Sequence, residues 1–255
     1  MRLSNKTALI TGASRNIGKH IALSFAREGA DLILNTSKSR DLLDAAAAEC
    51  QENGVRVITV MGDVSVSREA KAIVHQGLEE LGKIDILVSN AAIRPHKPII
   101  DLTDEEWLHV LNVNLTASFY LFKAVLPHMM SRGSGSMIAM GGQVAITGKP
   151  YTAAVAASKT GLLGLVRATA AEMAPHGIRV NSINPGRTDT ERHHPEWYPE
   201  RVGSKQDKAV KLHEIPLRRL ATKADIANAC LFLASDEAAY ITGEQLNVVG
   251  GRYMV

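Results

Sequence analysis

The stretch TALITGASRNIGKHIALSFAREGADLIL, residues 7–34, decides the fold. It opens as an apolar, β-branched run, turns at Gly12, takes up helical spacing by Ile17 with Ile21 and Phe25 on the same face, and returns to an apolar run near Leu32. That order predicts strand, tight turn, helix and strand. Glycines permit the turn, and the start of the helix leaves backbone amides free for an anion, so the stretch predicts a dinucleotide pyrophosphate site.

Outward from this unit, short apolar runs recur as RVITVMGDV, IDILVSN, SMIAMGG, IRVNSINPG and EQLNVVGG, with longer segments of helical spacing between them, such as Trp107, Val110 and Leu111. Strands that are apolar throughout, alternating with helices, belong to a parallel sheet covered on both faces. The count predicts a Rossmann-like, doubly wound, seven-stranded α/β fold in a single domain over residues 1–255. No repeat or linker divides the chain. Residues 187–215 break the alternation with a polar stretch carrying two prolines after NPG. An insertion at the carboxyl end of a parallel strand stands where such sheets bind ligands, so it reads as a substrate lid.

Composition narrows the function. With 255 residues and 45% apolar content the chain can bury a substantial core. Its 29 Lys and Arg against 26 Asp and Glu are interspersed, and aromatics make up only 4%, so neither a basic stripe nor stacking platforms suggest nucleic acid. Two distant cysteines, Cys50 and Cys230, read as reduced thiols without metal spacing. The first residues lack an export-signal core, and no stretch approaches the ~18 apolar residues of a membrane span. A soluble cytoplasmic protein acting on a small molecule is the expectation.

The spacing of Thr11, Gly12, Asn16 and Gly18 resembles the TGxxxGxG signature of the short-chain dehydrogenase/reductase family, with Asn16 at the middle glycine. Asparagine tolerates left-handed backbone angles, so the turn survives the change. The resemblance extends through GDV, SNAA, LNVNL, AASK and INPGRTDT over essentially the whole chain. It implies that Gly12, Ser14, Arg15, Asn16, Ile17 and Gly18 cradle the cofactor phosphates and that Asp63 and Val64 meet the adenine. Asn90, Lys159, Pro185 and Gly186 also line the cofactor, while Thr188 meets the nicotinamide carboxamide and Thr190 the phosphates. At the end of the second strand Thr36 stands where NAD-preferring relatives carry an acid. Arg15 and Lys38 stand nearby to take a 2'-phosphate, so NADP is expected over NAD.

The family handles protons with Asn, Ser, Tyr and Lys. Asn114 and Lys159 match the first and last. Val155 stands at the tyrosine position and Gly142 at the serine position, and neither can exchange a proton. Tyr151 is the candidate substitute. It lies eight residues before Lys159, about 12 Å along an ideal helix, too far for direct coupling unless Pro150 places it at the helix entrance. Enoyl reductases of the same superfamily have six residues between tyrosine and lysine; here there are seven. Gln143 is a candidate hydrogen-bond donor to a substrate oxygen, and His193 and His194 are candidate proton carriers in the lid.

The resulting expectation is an NADP-dependent oxidoreductase acting on a small or medium carbonyl, alcohol or enoyl substrate. The alternatives are an NADP-binding sensor or oligomer partner without turnover, and a non-redox lyase or hydrolase on the same fold. The resemblance implies a homotetramer formed through the helices carrying Asn114 and Lys159 and through the C-terminal strand. The usual VDGG of that strand departs to Val249 in place of the acid.

Overall fold

The computed structural model describes residues 1–191, 194, 197 and 212–254. Strands β1 (Thr7–Thr11), β2 (Asp31–Thr36), β3 (Val57–Met61), β4 (Ile86–Ser89), β5 (Gly135–Met140), β6 (Ile178–Pro185) and β7 (Gln245–Val248) form one parallel sheet in the order β3-β2-β1-β4-β5-β6-β7. Strand order reverses between β1 and β4. The crevice outside their carboxyl ends is therefore the topological switch point where such sheets hold ligands.

Both faces are covered, which explains why the strands read as continuous apolar runs. Alternate residues of each strand serve opposite layers. Ile10, Leu32, Leu34, Val88 and Ile183 pack under α1 (Asn16–Arg27), α2 (Arg40–Gln51) and the helix Lys223–Ala234. Leu9, Ile33, Leu87, Ala139 and Val180 pack under α3 (Ser67–Leu81) and the helices Ala117–Arg132 and Ala153–Met173. Cys50 and Cys230 are free and buried in the first layer, where desolvation raises both thiol pKa values, that of Cys50 to about 11. They stay protonated and serve as small apolar fillers.

Between β4 and β5 the chain forms α4 (Asp104–Leu111), a π turn (Asn112–Thr116) and α5 (Ala117–Arg132) in unbroken succession. A capping box of Thr103 and Glu106 starts it, and Gly133 in the left-handed region ends it. This run corrects one expectation: residues 104–132 have the length and mean hydropathy of a membrane span, although polar residues interrupt every apolar run within them. Leu121, Phe122, Val125 and Met129 point into the second layer, so here it acts as a core helix. After β5 follow a short α6 (Val144–Thr147) and α7 (Ala153–Met173), and after β6 comes α8 (Lys223–Ala234). Of the proposed lid, residues 192–193, 195–196 and 198–211 lie outside the described residues.

Phe25 is fully buried between α1 and the sheet. Phe25→Ala is expected to lower unfolding free energy by about 3–5 kcal/mol in urea titration at fixed protein concentration. A loss below about 1 kcal/mol would contradict the packing described.

Candidate active site

The turn after β1 is built around two glycines. Gly12 adopts φ 63°, and a Cβ there would stand 3.0 Å from Ala91 Cα. At Gly18 a Cβ would lie 2.2 Å from the Gly12 carbonyl oxygen, so only glycine lets the helix approach the turn this closely. Asn90 Nδ2 donates to the carbonyls of Thr11 (2.9 Å) and Gly12 (3.1 Å), while Thr11 Oγ1 accepts from the amides of Asn90 and Ala91. Asn90 thus braces the loop from β4. The first turn of α1 carries no acid and Arg15 offers it no side-chain cap, which leaves its amides available to an anion.

Asn16 holds the left-handed conformation, φ 50°, that the sequence reading required of it. It also does something that reading missed. Its Nδ2 donates to the Glu191 carbonyl (3.2 Å) and its Oδ1 accepts from the Glu191 amide (3.1 Å), clamping the start of the segment after β6 to the glycine turn. No pattern in sequence could link positions 175 residues apart. Ile17 packs against the first core layer.

At the end of β2, Ser14 Oγ and Thr36 Oγ1 lie 3.3 Å apart, both buried. Arg15 is half-buried and Lys38 exposed. No acid stands at the end of this strand. Asp63 accepts from the amide (2.9 Å) and hydroxyl (2.7 Å) of Ser65 in the turn after β3, and Val64 beside it is buried in the second layer.

Asn114 sits in the π turn, a widened helical turn of the kind that marks functional sites. Its Oδ1 accepts from the Ile93 amide (2.8 Å), and its Nδ2 donates to the Ile93 carbonyl (3.0 Å) and to Ser158 Oγ (3.1 Å). It ties the loop after β4 to α7. Next to Ser158, buried Lys159 donates from Nζ to the carbonyl of Met140 at the end of β5 (2.6 Å). Among the described residues it has no carboxylate partner. Desolvation, assisted by the nearby Arg94 cation, lowers its pKa from 10.5 to about 7.

Val155, one turn before Lys159, is buried in a small apolar cluster with Val110 and Ala154, flanked by Ile93, Trp107 and Val144. The position that would carry a phenol is therefore apolar and buried. Gly142 is the reverse: a Cβ there would meet only Val144 Cγ1, at 3.9 Å, and its amide donates to Asn184 Oδ1 (3.0 Å). A serine would fit there. Gln143 caps α6 through its backbone, its amide donating to the Pro185 carbonyl (3.3 Å).

Tyr151 requires a correction, because it does not share a helix with Lys159. Gly148 (φ 60°) and Tyr151 (φ 66°) are both left-handed, and α7 begins only at Ala153. Pro150 falls in this turn, which ends with Thr152 Oγ1 donating to the Lys149 carbonyl (2.6 Å). The Tyr151 carbonyl accepts from the Lys97 amide (2.8 Å), while its side chain is 41% exposed and its hydroxyl makes no hydrogen bond among the described residues. The structure thus leaves the phenol outside the buried pair Asn114 and Lys159.

Past β6, Pro185 and Gly186 lie against β7, the Gly186 amide donating to the Val248 carbonyl (2.9 Å). Thr188 pairs with Ala221 in a parallel bridge, and Thr190 follows half-buried. Trp197 stacks on His194 at 4.1 Å, and its carbonyl accepts from the His96 amide (2.9 Å), so this part of the lid segment returns to the loop after β4. His193 lies outside the described residues.

The family model described as enoyl-(acyl carrier protein) reductase matches residues 12–252. The 3-oxoacyl-(acyl-carrier-protein) reductase FabG of Escherichia coli is 39% identical over 255 residues, covering all of both chains. FabG of Staphylococcus epidermidis is 36% identical over 250 residues, 98% of this chain and 100% of the relative. Among solved structures, a putative short-chain alcohol dehydrogenase from Sinorhizobium meliloti superposes with TM-score 0.92 at 33% identity, covering 98% of this chain and 97% of its own. NAD+-bound xylitol dehydrogenase superposes with TM-score 0.90 at 30% identity, covering 98% and 100%.

Between its folded pKa of about 7 and the unfolded 10.5, Lys159 binds a proton in the unfolded chain that it lacks in the folded one. Stability should therefore rise with pH across that window, the full penalty applying below it. Lys159→Met is expected to flatten the rise in urea midpoints measured from about pH 7 to pH 10. An unchanged slope would assign the titration elsewhere.

Proposed function

The chain belongs to the short-chain dehydrogenase/reductase family, and from that premise we propose an NADP-dependent oxidoreductase that moves hydride between the nicotinamide and a small or medium carbonyl, alcohol or enoyl substrate. The observation that carries the proposal is the crevice at the β1 and β4 ends, where an uncapped helix start faces a braced glycine turn, with buried Lys159 bonded at the end of neighbouring β5. The residues fit a dinucleotide: α1 amides for the pyrophosphate, Lys159 for the ribose, and Asp63 and Val64 for the adenine. NADP is favoured over NAD because Thr36 replaces an acid, and Arg15 and Lys38 have no ion pair among the described residues with which a 2'-phosphate would compete. When bound, the cofactor supplies the hydride.

This chain's own residues would position the substrate and handle the proton. Asn114 fixes the loop around Ile93 against α7. Lys159, with a pKa near neutrality, is the one titratable group left where the family keeps its proton relay, and it would deliver the proton directly or through water. For Tyr151 to deliver it, the turn from Gly148 to Thr152 would have to swing the phenol inward. The FabG names of the relatives and the enoyl reductase description of the family model both favour an acyl thioester bearing a 3-oxo or enoyl group. Assembly as a homotetramer is part of the proposal. The exposed apolar side chains Leu108, Phe119 and Met130 along α4 and α5 support it, and the free thiols suit a cytoplasmic setting.

A specific observation favours a second reading, an NADP-binding protein without turnover: apolar Val155 stands at the acid's place in a buried cluster and has no proton to exchange.

NADPH absorbance followed over ketones, quinones and enoyl thioesters separates the two. Slow consumption of at least one substrate class is expected, with Tyr151→Phe within about twofold of the parent and Gly142→Ser with Val155→Tyr faster by about 10²-fold or more. A loss of about 10²-fold in Tyr151→Phe would hand the proton to Tyr151. Binding without consumption in the parent and the double variant alike would establish the non-catalytic reading.

A further inference from the structure

A cavity of about 190 Å³ opens between the carboxyl ends of β6 and β7 and the start of α8. Ile215, Leu217, Ala221 and Val249 give it apolar walls, and Arg187 reaches into it. Arg187 Nη1 is buried and has no hydrogen-bond partner among the described residues. A guanidinium cannot shed its charge, so an anionic acceptor meeting its remaining N–H groups from the cavity would return free energy.

The one carboxylate lining the cavity is not available to it. Asp225 takes a bidentate pair from Arg219 (Nη1 to Oδ2 2.6 Å, Nη2 to Oδ1 3.1 Å), and its Oδ2 also accepts the Thr222 amide (2.7 Å) in the cap of α8. That arrangement holds the Asp225 carboxyl far below the usual range, so it is already saturated with donors. The opposite wall carries Val249, the position at which the C-terminal VDGG signature would have placed an acid. Residues 186 and 249 touch across the strand ends, since a Cβ on Gly186 would stand 2.9 Å from Val249 Cα. The cavity thus couples a cation without a counter-ion to an apolar surface where an acidic side chain is absent.

We propose that this cavity is a binding site for a small aliphatic carboxylate, its oxygens on Arg187 and its tail against Ile215, Leu217 and Val249. Arg187 presents a fork that matches a carboxylate in two parallel bonds. The volume admits on the order of six non-hydrogen atoms, the size of a four-carbon acid. This site does not rest on the hydride chemistry. It adjoins that site in sequence, because Arg187 immediately precedes Thr188 in the chain.

Thermal unfolding of the full-length protein in tens of millimolar sodium butyrate, against sodium chloride at equal ionic strength and against butyramide, tests the proposal. Butyrate is expected to raise Tm by about 5–10 °C when it reaches a hundredfold of its Kd, and butyramide to leave it unchanged. Acetate should be weaker, since it leaves the apolar wall uncovered. Arg187→Gln should abolish the shift. Should that variant fail to fold, Val249→Asp supplies the missing carboxylate from within: it is expected to raise Tm without ligand and to abolish the butyrate effect. A parent that no carboxylate stabilises overturns the proposal, as does a butyrate shift that persists in Val249→Asp or in a folded Arg187→Gln.

Discussion

The close approach of Gly18 to the Gly12 carbonyl is the contact on which the rest depends. With no room for even one added carbon, the start of α1 presses directly against the turn after β1, and its unpaired amides face the crevice between β1 and β4. Everything that touches this turn serves to hold it. Asn90 binds its carbonyls from β4, Thr11 returns the bond from β1, and Asn16 carries the hold across to Glu191 beyond β6. A helix start free of acids and side-chain caps among the described residues leaves amides that suit an anion.

The half of the crevice proposed for proton handling is built on the opposite principle. Asn114 and Ser158 form a closed network with Ile93, and Lys159 is bonded to Met140. Where the family resemblance would put a tyrosine and a serine stand apolar packing at Val155 and open space at Gly142. Burial, with the Arg94 cation beside it, then acts on the lysine. With no carboxylate partner among the described residues, Lys159 moves toward neutrality, to a pKa of about 7.

Much of this was legible in the sequence because it depends on local chemistry. Strands buried on two faces must be apolar throughout, and all seven runs became strands of one parallel sheet. The glycine pattern located the turn and the left-handed angle at Asn16. The failures were equally physical. The spacing of Tyr151 from Lys159 fits either a shared helix or its entrance after Pro150, whereas Gly148 and Tyr151 both turn left-handed and delay α7 until Ala153. The run 104–132 acquires the hydropathy of a membrane span only as an average over its length. The clamp from Asn16 to Glu191 and the unpaired Arg187 arise from residues brought together by tertiary folding, and periodicity carries no trace of either.

The central claim is that the crevice holds a phosphorylated dinucleotide. Fluorescence titration of the purified protein with NADPH and NADH measures it without requiring turnover. Saturable binding of NADPH at one site per chain is expected, about tenfold or more tighter than NADH, as one or two charge-assisted bonds to a 2'-phosphate provide. Absence of saturable binding by either nucleotide, or tighter binding of NADH, would contradict the account.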